Sequence, residues 1–171
     1  MREAILITSA NDDPMDEGAV SSIDRACFAQ STVSVAAELD RPWAHLWVAR
    51  RDLKQPPLAY LLAWHVADEL HVLSVATLPA EQGRGMGRAL LAHALTFAKE
   101  RQVRLVLLEV RESNLRAIEL YRSFGFRVTG TRPRYYADNF EDAVEMTLLL
   151  DPATGCAVDL EQAGRPASRD H

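Results

Sequence analysis

Between residues 69 and 110 the hydrophobic pattern changes period twice, and that change leaves little choice of architecture. Glu69 to Thr77 reads as a strand. Leu90, Leu91, Ala94, Leu95 and Ala98 then mark one face of a helix from about Gly85 to Arg101. Arg104-Leu105-Val106-Leu107-Leu108-Glu109-Val110 follows, apolar until its end, as a strand covered on both faces must be. A strand, a helix and a buried strand in that order form a right-handed parallel crossover. The chain is therefore expected to be α/β.

The flanking segments extend this unit. Upstream, Ala4 to Thr8, His45 to Arg51 and Leu58 to Val66 read as strands, with helices starting at Asp12-Asp13-Pro14 and spanning roughly Ser34 to Asp40. Connections as short as Ala67-Asp68 join antiparallel neighbours. Downstream, a helix capped by Ser113 or Asn114 carries Leu115, Ile118, Tyr121 and Phe124 on one side, and Gly125 suits the left-handed position after it. Strands Phe126 to Thr131 and Ala143 to Leu150 complete one domain over residues 1–150, with 151–171 expected as a flexible tail.

Composition narrows the function classes. With 19 Lys+Arg against 24 Asp+Glu the net charge is −5, which argues against a general nucleic-acid binder. Cys27 and Cys156 have no CxxC context, and His45, His65, His71 and His93 show no ligand spacing, so no metal is expected. No apolar run reaches the roughly 18–20 residues of a membrane span, and the amino terminus has no signal-peptide layout. A cytoplasmic protein with no membrane partner is the expectation.

The chemistry is concentrated at Gln82-Gly83-Arg84-Gly85-Met86-Gly87-Arg88, between the strand and the helix. Three glycines in five residues permit a tight bend with exposed N–H groups, and the helix amino terminus adds partial positive charge. Together they make a cradle for a diphosphate, with Arg84 and Arg88 as added cations. It is neither a dinucleotide fingerprint, since the third glycine position is Arg88, nor a Walker loop, since no glycine is followed by Lys.

Gln82-x-x-Gly85-x-Gly87, Glu109 at a strand end, Asn114, and Tyr121-Arg-Ser-Phe-Gly125-Phe126 together resemble the GCN5-related N-acetyltransferase (GNAT) family. Leu108-Glu109-Val110-Arg111-Glu112-Ser113-Asn114, Ala117 to Tyr121, and Arg134-Tyr135-Tyr136 before Glu141-Asp142-Ala143 are similar to its RimI type, which acetylates the amino-terminal alanine of small-subunit ribosomal protein number eighteen. The resemblance implies a GNAT fold: a mixed central sheet of about seven strands, splayed between strands 4 and 5, with four helices. It implies acetyl-CoA as cosubstrate, its pantetheine arm on the main chain of Val75, Ala76 and Thr77. The diphosphate would lie on amides from Gln82 to Gly87, with Asn114 beyond the loop. Three departures from the RimI pattern stand out: Gly83 replaces a commonly basic residue, no Pro-Trp-Ser follows the first helix around Ala29 to Thr32, and the tail after Asp151 has no counterpart.

The implied roles are chemically reasonable. An α-amine, with a pKa near ~8, is roughly a fifth neutral at pH 7.4, whereas a lysine near ~10.4 is about one part in a thousand neutral. Glu109, ending an apolar strand, would accept the amine proton, helped by partial burial that raises its pKa. Tyr121 would protonate the departing thiolate, and an N–H near Val75 would face the developing oxyanion. Both cysteines fall outside the motifs, so direct attack in a ternary complex is expected. The acceptor would be a protein amino terminus, that of a basic ribosomal protein, met by a monomer or weak dimer. Two rivals follow from the same residues: acetylation of a small-molecule amine, and a non-catalytic acyl-CoA sensor.

Overall fold

The computed structural model describes residues 4–10, 14–28 and 35–159. The chain runs β1 (Leu6–Ser9), α1 (Pro14–Cys27), α2 (Val35–Leu39), β2 (Ala44–Arg50), β3 (Ala59–Val66) and β4 (Glu69–Thr77). One 3₁₀ turn at Pro79–Glu81 leads to α3 (Met86–Glu100), β5 (Leu105–Arg111), α4 (Leu115–Ser123), β6 (Arg127–Tyr136), β7 (Glu141–Leu150) and β8 (Ala157–Val158). The strands form one sheet in the order β1-β2-β3-β4-β5-β7-β6, with β8 also on β7. β4 and β5 are parallel and the other pairs antiparallel. This is the mixed α/β sheet with four helices that the sequence implies, with eight strands in place of about seven.

Alternation along the central strands divides the core between two faces. Trp47, Ala49, Leu61, Ala63, Leu70, Val106 and Leu108 lie with α3 and α4. Leu46, Val48, Tyr60 and Leu62 lie with Val20 and Ile23 of α1. Strands buried on both sides have no polar face to show, which is why β2 and β3 read as nearly continuous apolar runs. β5, expected to be covered on both faces, is buried on one face only; Leu105, Leu107 and Glu109 on the other are half-buried, because among the described residues no helix packs there and a cavity opens instead. The stripe read in α3 is the buried one: Leu90, Leu91, Ala94 and Ala98 are fully covered. Each buried leucine there contributes roughly 1.5–3 kcal/mol.

Helix α1 is fixed by buried polar contacts that periodicity does not reveal. The Asp16 carboxylate is paired with Arg50 of β2, both nearly inaccessible. The Tyr60 hydroxyl donates to Asp24 and lies 2.9 Å from Ser74 Oγ. Asp16, an acid in the first turn of α1 where the helix dipole would favour it, is thus a tether to the sheet; Asp12 and Asp13 lie outside the described residues.

Two boundaries differ from the sequence reading. β6 and β7 form a longer hairpin than 126–131 with 143–150, running out to Tyr136 and back from Glu141. The domain also continues past residue 150. Asp151 Oδ1 accepts from the amides of Ala153 and Thr154, and the chain turns back so that Ala157 pairs with Leu150 and Val158 with Leu149. The physical reason is an edge left by β6, whose pairing with β7 reaches only Arg127–Thr147. The short β8 covers what remains. Of the expected tail, 160–171 lie outside the described residues.

Candidate functional site: a fork in the sheet between two cavities

β4 and β5 pair only from Glu69–Leu105 to Val72–Leu108. At the next residue β4 carries a bulge: Val72 pairs with Ala63 of β3 and Ser74 with Leu62, leaving Leu73 extra. A bulge bends its strand and increases local twist. Here it turns Ser74–Thr77 away from Glu109–Arg111, and the sheet forks.

The fork leaves β4 main-chain groups unclaimed. The Leu78 amide donates to Leu58 O at 2.9 Å, so antiparallel alternation puts Ala76 in the hydrogen-bonded pair with Tyr60. Val75 and Thr77 fall in the intervening pairs, and their N–H and C=O groups point to the gap. Cys27 Sγ and Gln82 Nε2 both reach Thr77 O, at 3.2 and 3.3 Å. Ala76 is the exception to the expected trio: its main chain is spent on β3 and its side chain is packed against α1.

Beside the open edge lies a cavity of about 330 Å³ lined by Val75, Thr77, the loop from Glu81 to Arg88, Asn114, Arg116, Leu120 and Tyr121, with Arg84 outside the lining. Gly83 and Gly85 hold φ of +83° and +91°, a left-handed bend that glycine adopts without strain. The bend delivers the start of α3 to the cavity, where Gly85 is the cap residue and supplies no side chain. The first intrahelical bond is Ala89 N–H to Gly85 O, so the amides of Met86, Gly87 and Arg88 have no helical acceptor. A line of such donors with a helix dipole behind it fits an anionic diphosphate.

Three cationic side chains surround this cradle, and they are not equivalent. Arg84 is turned back toward Glu81, 3.7 Å away. Arg88 donates to Ser123 Oγ at 2.9 Å and stacks 5.1 Å over Phe124. Arg116, which the sequence reading did not single out, projects from α4 into the space beside Gly83. Asn114 lines the cavity as well, but its Oδ1 accepts from Ala117 N–H at 3.2 Å and caps α4.

A second cavity, about 530 Å³, opens on the other face of the sheet. Its walls include Trp64, His71, Leu73, Glu109, Arg132, Tyr135, Tyr136 and Glu145. Glu109 faces this side because it alternates with Val106, Leu108 and Val110, all buried with α3 and α4. Its surroundings are not the apolar wall that the strand suggests. Arg132 Nη1 is 3.0 Å from Glu109 Oε1 while its Nε holds Glu145 at 2.6 Å. The Tyr135 hydroxyl also bonds to Glu109, which pushes the phenol up.

Tyrosines join the two cavities. Tyr121 lines the first, its ring 5.8 Å from Phe126 in the core. Burial, with a smaller push from Tyr136, raises its hydroxyl to about 12. Tyr136 lines the second cavity; burial raises it to about 12 as well, opposed by Arg111 and reinforced by Glu109. Arg111 stacks 3.8 Å over the Tyr136 ring and pairs with Asp138 and Glu141. Glu141 therefore locks the hairpin end against Ser113 and Arg111. Cys27 sits near the fork at Thr77, but burial and Asp24 push its thiol above the ordinary range, so it is held as a thiol.

Among the described residues no group of three or more His, Cys, Asp or Glu side chains is placed to hold a metal. None of the helices formed by those residues is long and apolar enough to cross a membrane.

Known proteins resemble this chain in sequence and in fold. A Bacillus subtilis (strain 168) relative is 35% identical over 113 residues, 66% of this chain and 74% of its own length. The [ribosomal protein bS18]-alanine N-acetyltransferase of Escherichia coli (strain K12) is 41% identical over 92 residues, and the matched region spans 62% of that enzyme. The crystal structure of the ribosomal-protein-S18-alanine N-acetyltransferase from Escherichia coli superposes with a TM-score of 0.75 at 30% identity, covering 85% of this chain and 94% of that one. The family model described as "Acetyltransferase (GNAT) family" matches residues 17–126, from the body of α1 through the first cavity to the end of the tyrosine motif. With that match over well over half its length, the chain belongs to the GNAT family of acetyltransferases.

Proposed function

We propose that this acetyltransferase moves the acetyl group of acetyl-CoA to the α-amine of a protein amino terminus, an alanine of the bS18 type. The observation that carries the reading is the fork, with an anion cradle on one face and Glu109 with two tyrosines on the other. The names of the Escherichia coli relatives supply the acceptor. Such an enzyme works in the cytoplasm.

Acetyl-CoA supplies the activated acetyl thioester. The amides of Met86, Gly87 and Arg88 hold its diphosphate, and the outward groups of Val75 and Thr77 pair with the pantetheine arm as an added strand would. Val75 N–H is placed to donate to the carbonyl oxygen as charge develops there. The acceptor enters from the face of Glu109, Tyr135 and Tyr136. Glu109 takes the proton the amine loses, directly or through a water. Tyr121, on the thiol side, donates its hydroxyl hydrogen bond to the departing sulfur. The raised Cys27 thiol takes no part, in keeping with direct attack.

The test is thiol release from acetyl-CoA with peptides starting in Ala, the same peptides blocked at the amino terminus, and a panel of polyamines and aminoglycosides. Turnover confined to the free Ala-peptides is expected. Turnover only on the small amines would overturn the acceptor assignment, and CoA binding without turnover on any amine would make the protein a sensor. Glu109→Gln is expected to lower kcat by about 10²–10³ with CoA affinity unchanged.

A further inference from the structure

Gly83 stands at an exposed corner of the anion cradle, and the space a side chain would take there is already filled. A Cβ built on Gly83 would come 2.8 Å from Arg116 Nη2. Arg116 reaches this point from the first turn of α4, two residues after the Asn114 cap, and it lines the same cavity as the loop. Unlike Arg84 and Arg88, it has no ion-pair partner and no hydrogen bond among the described residues. An arginine that lines the cavity beside Gly83, with no carboxylate to neutralise it, has its charge available for a ligand.

We propose that Arg116 is a diphosphate-binding residue, a guanidinium lent by α4 to a loop whose own arginines are turned elsewhere. This rests on the reading of the cavity as the acetyl-CoA site and goes beyond it in naming the residue that supplies the charge. Gly83 then serves twice: its φ of +83° suits glycine, and its missing side chain leaves room for the guanidinium, which a Cβ would push aside. A planar fork of donors matches phosphate oxygens better than an ammonium does. Tying the ligand to both α3 and α4 also fixes the distance between the cradle and Tyr121, which lies on α4.

Calorimetry with CoA and with 3′-dephospho-CoA, which keeps the diphosphate, tests this on the full chain without any acceptor. Arg116→Ala is expected to weaken both ligands by roughly five- to tenfold at low salt, the gap closing as salt screens the charge. Arg116→Lys should recover part of the loss. For S-acetylpantetheine, which carries no phosphate, the affinity should stay at the wild-type value. Unchanged CoA affinity in Arg116→Ala overturns the inference alone, as does a loss confined to CoA, which would put Arg116 on the 3′-phosphate. An equal loss with S-acetylpantetheine would mean that the residue acts on the fold. Failure of the wild-type protein to bind CoA at all would instead overturn the reading of the cavity, and this inference with it.

Discussion

Replacing Tyr121 with Phe separates what the tyrosine does as a ring from what it does as a hydroxyl. The ring is 7% exposed and packs on Phe126, and Phe preserves that packing. The hydroxyl, raised to about 12, is a weaker acid than a free phenol. An ordinary thiol titrates near ~8.5, so complete proton transfer to a thiolate is uphill by about 3.5 units, or ~5 kcal/mol at 1.36 kcal/mol per unit. Donating a hydrogen bond to the charged sulfur carries no such penalty and is worth about 1.5–3 kcal/mol. Loss of that bond should lower kcat by roughly 10- to 150-fold and leave KM for acetyl-CoA unchanged. Because the group stays protonated, wild-type kcat should remain level from about pH 9 to about pH 11, where a phenol at ~10 would already have titrated. Initial rates of thiol release across that range, for both proteins, provide the assay. Wild-type kcat in the Phe variant would refute the donor role. A wild-type alkaline limb centred near pH ~10 that disappears in Tyr121→Phe would refute the argument from burial.

Removing the Asp16 carboxylate as Asp16→Asn leaves Arg50 buried against Thr8 and Gln55 O without its counter-charge. A loss of about 3–5 kcal/mol is expected by denaturant unfolding, and a change under ~1 kcal/mol would show that water reaches the pair. Glu141 is held down to about 2 chiefly by Ser113, with Asn139 and Arg111 adding to it. Its folded value lies below its unfolded one, so its contribution is complete above pH ~4.5 and disappears as pH falls toward ~2. Glu141→Gln should flatten the dependence of Tm on pH in that window, and an unchanged slope would remove the carboxylate from the hairpin's support. Gly83→Ala should weaken CoA binding through both backbone strain and displacement of Arg116; calorimetry giving the wild-type Kd would show that the corner is looser than its geometry.

The sequence legible as pattern gave the elements and the cradle. The crossover from β4 through α3 to β5 was readable because burial on one helix face leaves a period of 3.6 and apolar side chains on both strand faces leave none. The Gln82–Gly87 loop was readable because tight bends with exposed amides demand glycine. What pattern could not supply was anything depending on partners distant in sequence. Asp16 looks like a helix-dipole residue until β2 brings Arg50 beside it. The apolar strand around Glu109 gives no hint of Arg132, which arrives on a hairpin more than twenty residues later. Arg116 carried one faint signal, a glycine at a commonly basic loop position with an arginine on the next helix, but only packing shows that the two share one space.

By itself, then, the order of residues determined the α/β class, the parallel crossover and the place where an anion can rest, because these follow from local periodicity and backbone freedom. The tertiary structure decided where the sheet opens, which carboxylate faces the second cavity, which arginine lies beside Gly83 and how far the domain extends. Those outcomes depend on a bulge at Leu73, on side chains competing for the same partners, and on an unpaired edge of β7. Each is settled only when segments far apart in the chain meet.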